Sequence, residues 1–192
     1  MKNALIIFVR NPELGKVKTR LAAQVGNQKA LEVYLKLLQH TKEVALQADC
    51  DKFIFATEPL KDETWKDFIT AYQVEGDLGK KMCHAFDLLF KKGFERVVII
   101  GSDCPGLSSK HINNAFAELN NVDVVIGPAK DGGYYLLGMK KLHSAIFNGK
   151  NWSTNSVYKE TIKSFGELQL TFSQLEMLTD VDEVQDLPEY WR

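Results

Sequence analysis

The sequence predicts an α/β fold built on a mostly parallel central sheet with helices on both faces. Three observations carry that expectation. Short β-rich apolar runs alternate with amphipathic stretches of helical period, the pattern of βαβ units. Several runs are nearly continuous Ile, Val and Leu, as strands covered on both faces require. Finally, the 192 residues contain no Pro/Gly/Ser-rich linker, charge block or internal repeat, so one domain over 1–192 is the economical division.

Taken in order, strands are expected at 5–9, 53–57, 97–101, 122–127 and 134–139. A helix over 28–48 would place Leu31, Tyr34, Leu35, Leu38, Val44, Ala45 and Ala48 near one face, the spacing of a core-facing helix. A second, over 77–92, carries Met82, Ala85, Phe86, Leu89 and Phe90 in the same way and is stopped by Gly93. Ser108 or Ser109 can cap a third helix reaching Leu119, and Thr154 or Asn155 a fourth ending near Gly166.

Composition narrows the class. The chain is 45% hydrophobic and 26% charged with a formal net charge of −1, which argues against a nucleic-acid footprint. The apolar run 4–9 is too short to span a bilayer and is followed by no small-residue cleavage site, so no membrane partner is expected. Cys50, Cys83 and Cys104 lack CxxC spacing, which fits a reduced, cytoplasmic protein without a zinc site. The four histidines share no spacing, and there is no G-x-S-x-G elbow for a serine nucleophile.

In open α/β sheets ligands bind beyond the carboxyl ends of the strands, and the segments there are chemically unusual. After the first strand, Arg10 to Arg20 brings Lys16, Lys18 and Arg20 close to Gly15. Such a loop suits a polyphosphate, although it is not a Walker A loop, and spacing alone leaves a solvated basic loop equally open. After the third strand, Asp103 stands in Gly-Ser-Asp-Cys-Pro. Its carboxylate could bind Mg²⁺ or Mn²⁺ bridged to substrate phosphates; alone, it equally fits a turn-capping Asx motif. Asp131-Gly132-Gly133 could be a turn, or a place where a substrate approaches the backbone with Lys130 and Asp131 in contact. Tyr134 and Tyr135 belong to the following strand, and alternation does not decide which faces the pocket.

Asp180 and Asp182, two apart, would face the same side of an extended segment and could share a cation, with a solvated acidic loop as the plainer alternative. The segment lacks the glycine and terminal glutamate of an EF-hand. Gly76, Asp77 and Gly79 open the second helix and could contact a base, ribose or acceptor. Trp152 and Thr154 could line an acceptor pocket or serve as anchor and cap.

Together these segments resemble the bacterial DUF2064 proteins, glycosyltransferase-like and sometimes linked to arsenosugar biosynthesis. The likeness rests on 15–21, 76–79, 101–105, 127–135, 152–154, and Asp180-Val-Asp182 with Asp186-Leu187. It implies a Rossmann-like GT-A fold of the nucleotide-diphospho-sugar transferase superfamily, a metal-supporting Asp103, and nucleotide phosphates on the basic loop. One departure is Lys80-Lys81-Met82, where the family more often carries an Arg before the Met. The basic loop also resembles one in 2-phospholactate guanylyltransferases of the same superfamily.

The leading expectation is a transferase that uses a nucleotide sugar and a small-molecule acceptor. Asp103, with Asp180 or Asp182, would hold Mg²⁺ or Mn²⁺ against the diphosphate, and Asp131 would orient or deprotonate the acceptor. Arg10, Gly15, Lys16, Lys18, Arg20, Gly76, Asp77 and Gly79 form the expected nucleotide set; Gly132, Gly133, Tyr134, Trp152 and Thr154 form the acceptor set. The first alternative is nucleotidyl transfer from a nucleoside triphosphate to a phosphorylated acceptor, because three cations suit a triphosphate better. A nucleotide-binding module without catalysis is the second. Oligomeric state is left open.

Overall fold

The computed structural model describes residues 1–61 and 63–191. Its strands are β1 (Asn3–Val9), β2 (Asp51–Ala56), β3 (Ile69–Tyr72), β4 (Arg96–Ile100), β5 (Val124–Pro128), β6 (Tyr134–Met139) and β7 (Phe172–Gln174). The helices are α1 (Thr19–Val25), α2 (Asn27–Leu46), α3 (Leu78–Lys91), α4 (Ser109–Glu118) and α5 (Val157–Glu167). Single 3₁₀ turns occupy Ser144–Phe147, Val184–Asp186 and Glu189–Trp191. Among the described residues, no helix is long and apolar enough to cross a membrane.

The strands form one sheet in the order β3-β2-β1-β4-β6-β5-β7. All neighbours pair in parallel except β6, which runs antiparallel to both β4 and β5. Chain order grows outward from β1 to β3, then returns to place β4 on the other side of β1. The loops leaving β1 and β4 therefore diverge and open a crevice between them.

The apolar runs are continuous because each strand feeds two cores. Leu5, Ile7, Val98 and Ile100 join Tyr34, Leu38 and Phe116 on one face. Ala4, Ile6, Val97 and Ile99 join Met82, Phe86 and Phe165 on the other. The two-residue period of the pleat produces this division. A third, smaller core gathers Leu21, Val33, Leu37, Val181 and Leu187, fastening the segment after β7 to α1 and α2.

Several expectations need correction. The strand expected from residue 122 begins at Val124 and extends to Pro128, while Thr57 and Gly101 lie outside strands. Leu35, placed on the core face of its helix by spacing, is 46% exposed; Val33 and Leu37 take the buried positions instead. Neither Thr154 nor Asn155 caps α5. The Thr154 hydroxyl donates back to the Asn151 carbonyl at 2.7 Å, and the helix starts after Ser156. Ser108 does cap α4, in a capping box with His111. The edge strands β3 and β7 and the short α1 were not expected.

Candidate active site

The carboxyl ends of β1 and β4 and the turn between β5 and β6 surround a cleft of about 790 Å³. Because β6 is antiparallel, its first residue lies at the same rim as the ends of the parallel strands, which brings Asp131 and Tyr134 into the cleft wall.

Lys18 stands at the centre. It immediately precedes α1 and adopts φ 46°, ψ 49°, a left-handed conformation that costs a non-glycine residue on the order of 1 kcal/mol or more. Its side chain is only 10% exposed, and the ammonium lies 3.3 Å from Asp103 Oδ2. The Asp103 carbonyl accepts from the Val181 N–H at 2.8 Å, which draws the segment after β7 over the β4 loop. Asp180 is thereby brought close enough to feel Asp103 and Asp131. Burial first, then the negative charge of those two carboxylates, pushes the Asp180 carboxyl up to about 7.

Arg20 follows Lys18 by half a turn and donates to Asp182 Oδ2 at 2.6 Å. Asp186 Oδ2 accepts from the backbone N–H groups of Asp182 and Glu183 at 3.1 and 2.8 Å, so the acidic segment is held as a turn. Both Asp180 and Asp182 line the cleft. Among the described residues, however, no three His, Cys, Asp or Glu side chains are grouped to hold a metal ion.

The opposite wall is made by 129–135 and 152–157. Gly132 has φ +92°, and a Cβ there would collide with the Asn155 backbone; its carbonyl accepts from the Tyr158 N–H at 2.8 Å. Asp131 Oδ1 accepts from the Gly133 N–H at 2.7 Å. Trp152 seats its indole on α3 because Gly79 has no side chain: a Cβ there would lie 2.5 Å from the ring. Ser153, in the same wall, is left-handed at φ 66°. The Tyr134 hydroxyl donates to Met82 Sδ at 3.7 Å, and that of Tyr135 to the Glu176 carbonyl at 3.1 Å.

Of the expected residues, Arg10, Lys18, Arg20, Asp77, Asp103, Asp131, Gly133, Tyr134, Trp152, Thr154, Asp180 and Asp182 line this one cleft. Gly15 and Lys16 do not. The Lys16 ammonium pairs with Glu13 at 2.5 Å and its side chain is 74% exposed. Lys16 and Lys61 together hold the Glu13 carboxyl down at about 2. Gly76, Gly79 and Gly132 do not line the cleft either: Gly79 is buried, Gly132 half-buried and Gly76 exposed, and Lys130 is exposed outside it. Asp77 caps α3, its Oδ1 accepting from the Lys80 N–H at 2.8 Å.

Sequence reasoning missed Tyr34, Gln73 and Ser102 as cleft residues. The Tyr34 hydroxyl sits 3.1 Å from both the N–H and the carbonyl of Arg10 and so braces the start of the basic loop. A tyrosine on a core-facing helix was the available signal, since a buried phenol needs a polar partner. Gln73 spends its side-chain N–H on the Phe55 carbonyl at 2.8 Å.

Comparison with known proteins agrees with this fold. A family model described as "Uncharacterized protein conserved in bacteria (DUF2064)" matches residues 30–154. A protein of Desulfovibrio desulfuricans G20, provisionally named a nucleotide-diphospho-sugar transferase, is 35% identical with a TM-score of 0.91, covering 97% of this chain and 85% of that one. By sequence, the 2-phospho-L-lactate guanylyltransferase of Methanocaldococcus vulcanius is 25% identical over 143 residues, 71% of this chain and 61% of the relative. That of Methanocaldococcus jannaschii is 28% identical over 134 residues, 66% and 56% respectively. The chain thus spans about three fifths of the length of these relatives. Rv0371c of Mycobacterium tuberculosis H37Rv, solved with manganese, shares the fold at 13% identity and a TM-score of 0.58, covering 97% and 96% of the two chains.

Proposed function

The chain belongs to the DUF2064 family, and from that premise we propose that it is a nucleotidyltransferase that joins a nucleoside monophosphate, most simply GMP from GTP, to a small acceptor. The observation that carries this reading is the convergence of Lys18, Asp103, Asp180 and Asp131 in one cleft at the switch point of the sheet. The names of the two methanogen relatives support nucleotidyl transfer and guanine in particular.

The donor set fits a hard divalent cation. It is all oxygen, and burial, reinforced by the charges of Asp103 and Asp131, raises the Asp180 carboxyl to about 7. Asp103 and Asp180 would hold Mg²⁺ or Mn²⁺, as suits a hard cation that is commonly bound through one or two protein carboxylates. When bound, that ion supplies positive charge to the phosphates where negative charge develops. Lys18 and Arg20 add fixed cations at the same rim, and Arg10 a third at the end of β1. Asp131, across the cleft, would orient the acceptor and take its proton. The acceptor oxygen attacks the α-phosphorus, the bond from that phosphorus to the bridging oxygen breaks, and pyrophosphate leaves.

Glycosyl transfer, the leading expectation from sequence, is the second reading. The provisional name of the Desulfovibrio protein favours it. The released product separates the two, pyrophosphate for nucleotidyl transfer and a nucleoside diphosphate for glycosyl transfer. The first experiment is a thermal-shift series with GTP, ATP, CTP, UTP and nucleotide sugars, each with and without Mg²⁺ or Mn²⁺. A metal-dependent rise with GTP supports the proposal. No metal-dependent rise with any nucleotide sinks both readings.

A further inference from the structure

We propose that the acceptor is an uncharged, polyhydroxylated molecule of sugar-like kind, and that the cleft discriminates against phosphorylated and carboxylated acceptors. The inference rests on the nucleotidyl-transfer reading and names the second substrate of the same site; it departs from the phosphorylated acceptor expected from sequence and from the phospholactate in the two methanogen relatives' names.

The first argument is the construction of the wall opposite Lys18. Two segments lock each other through the Tyr158 N–H on the Gly132 carbonyl, 2.8 Å, and through the close passage of the Asn155 backbone over Gly132. Trp152 is fixed against Gly79 and lines the cleft. A preset indole gives the apolar face of a ring a surface to lie on without ordering a flexible side chain.

The second is the polar chemistry of that wall. The Asp131 carboxylate accepts from the Gly133 N–H and forms no ion pair among the described residues. The Thr154 hydroxyl is engaged within its own segment, by the Asn151 carbonyl at 2.7 Å and the Ser156 hydroxyl at 2.8 Å, so Asp131 is the acceptor this wall presents. It calls for hydrogen-bond donors, and an alcohol O–H onto a carboxylate is among the stronger hydrogen bonds available.

The third is charge. The cleft is lined by four cations and five carboxylates. Lys18 and Arg20 are engaged by Asp103 and Asp182, and the remaining two, Arg10 and Lys81, stand on β1's exit and on α3. The segments 129–135 and 152–157 contribute no cation to the lining. A phosphorylated acceptor would bring about two negative charges against the Asp131 carboxylate, which pairs with no cation among the described residues. A neutral polyol brings none and satisfies Asp131 through its hydroxyl.

The step then balances simply. A hydroxyl oxygen of the acceptor forms the new bond to the α-phosphorus, its proton passes to Asp131, and pyrophosphate departs with the electrons of the broken bond. The product is a phosphodiester between nucleoside and polyol.

The test uses the full chain saturated with the non-cleavable α,β-methylene analogue of GTP and Mg²⁺. Glucose, mannose, galactose, ribose and glycerol are titrated by ligand-observed NMR, each beside its own monophosphate. The expected result is at least one neutral member that binds at least tenfold tighter than its phosphate. Asp131→Asn should weaken that neutral member about tenfold and leave the analogue's affinity within twofold. Thr154→Lys, which adds the missing cation, should narrow the gap in favour of the phosphates. Equal or tighter binding of the phosphates overturns the inference, as does the absence of saturable binding by every neutral member. If Asp131→Asn does not fold, the wild-type pairs decide alone. The analogue's own Mg²⁺-dependent melting shift is read in the same samples. Its absence refutes the nucleotidyl-transfer reading, whereas its presence with a preference for phosphates refutes only the acceptor class.

Discussion

The two walls of the cleft are made by opposite physical means. On the side of β1 and α1, position depends on charge: Lys18 is held in a left-handed turn facing Asp103, and Arg20 is clamped to Asp182. On the side of 129–135 and 152–157, position depends on packing: Gly79 admits the Trp152 ring, and Gly132 admits the Asn155 backbone. The first wall responds to ligand charge and, at the exposed Arg20–Asp182 pair, to salt, because exposed ion pairs are screened and rearrange readily. The second changes only if backbone or ring moves. Under the proposed function, the first construction suits a wall that follows phosphates through bond breaking, and the second suits one that presents a fixed surface to an acceptor.

The largest expected effect falls on the charged wall. Asp103→Asn should lower pyrophosphate release about 10²–10³-fold, the range for losing one well-placed electrostatic group, and should remove the metal-dependent part of the melting shift. An unchanged metal response would take Asp103 out of the site. On the packed wall, Gly132→Ala must find room at the Asn155 backbone and hold φ +92°. A loss of about 2–4 kcal/mol in chemical denaturation is expected; a loss below about 0.5 kcal/mol would mean the two segments are not locked. Gly79→Ala must move both the Trp152 ring and the Phe147 carbonyl, 2.5 and 2.7 Å from the added Cβ, but without the left-handed φ of Gly132, so about 1–3 kcal/mol is expected. Acceptor binding should fall while nucleotide binding holds. Should both fall together, the walls are not independent.

The smallest effect is a gain. Asp180 has its carboxyl raised from 3.8 to about 7, so the folded state holds a proton that the unfolded chain has released. Below pH 4 both states are protonated and the residue costs nothing. The cost grows as pH rises from 4 to 7 and stays in full above 7. Asp180→Asn should therefore stabilise the metal-free protein at pH 8 by on the order of 1 kcal/mol, discounted for partial exposure, and by nearly nothing at pH 4. A gain that is the same at both pH values would mean that the charge on Asp180 is not what the substitution relieves.

How much was legible in the sequence follows the same division. Strands buried on both faces declared themselves through runs such as Val97-Val-Ile-Ile, whereas β3 and β7 sit at sheet edges, and Ile69, Tyr72 and Phe172 are exposed there, so no apolar period marked them. Asp103 and Asp131 were legible because they follow strands and stand among glycines. Lys16 was grouped with Lys18 and Arg20 by spacing, yet the left-handed turn at Lys18 separates them, and no spacing rule encodes that turn. Tyr34 read as core because its ring is core; the bond from its hydroxyl to Arg10 crosses 24 positions of sequence. Gly76 and Gly79, expected near the nucleotide because they open a helix, do not line the cleft, and Gly79 makes room for a neighbouring ring and carbonyl.

One reversed strand has a consequence for how such molecules can diverge. Had β6 run parallel to β5, joining them would have required a crossover of a dozen or more residues, usually with its own helix. Because β6 is antiparallel, five residues at 129–133 suffice, and they emerge at the rim where the β1 and β4 loops end. A lineage can thus exchange this short turn and its partner at 152–157 for others and leave the parallel half of the sheet unaltered. Under the proposed function, new acceptors become reachable by small insertions and substitutions in one corner, while the half assigned to the phosphates is inherited intact.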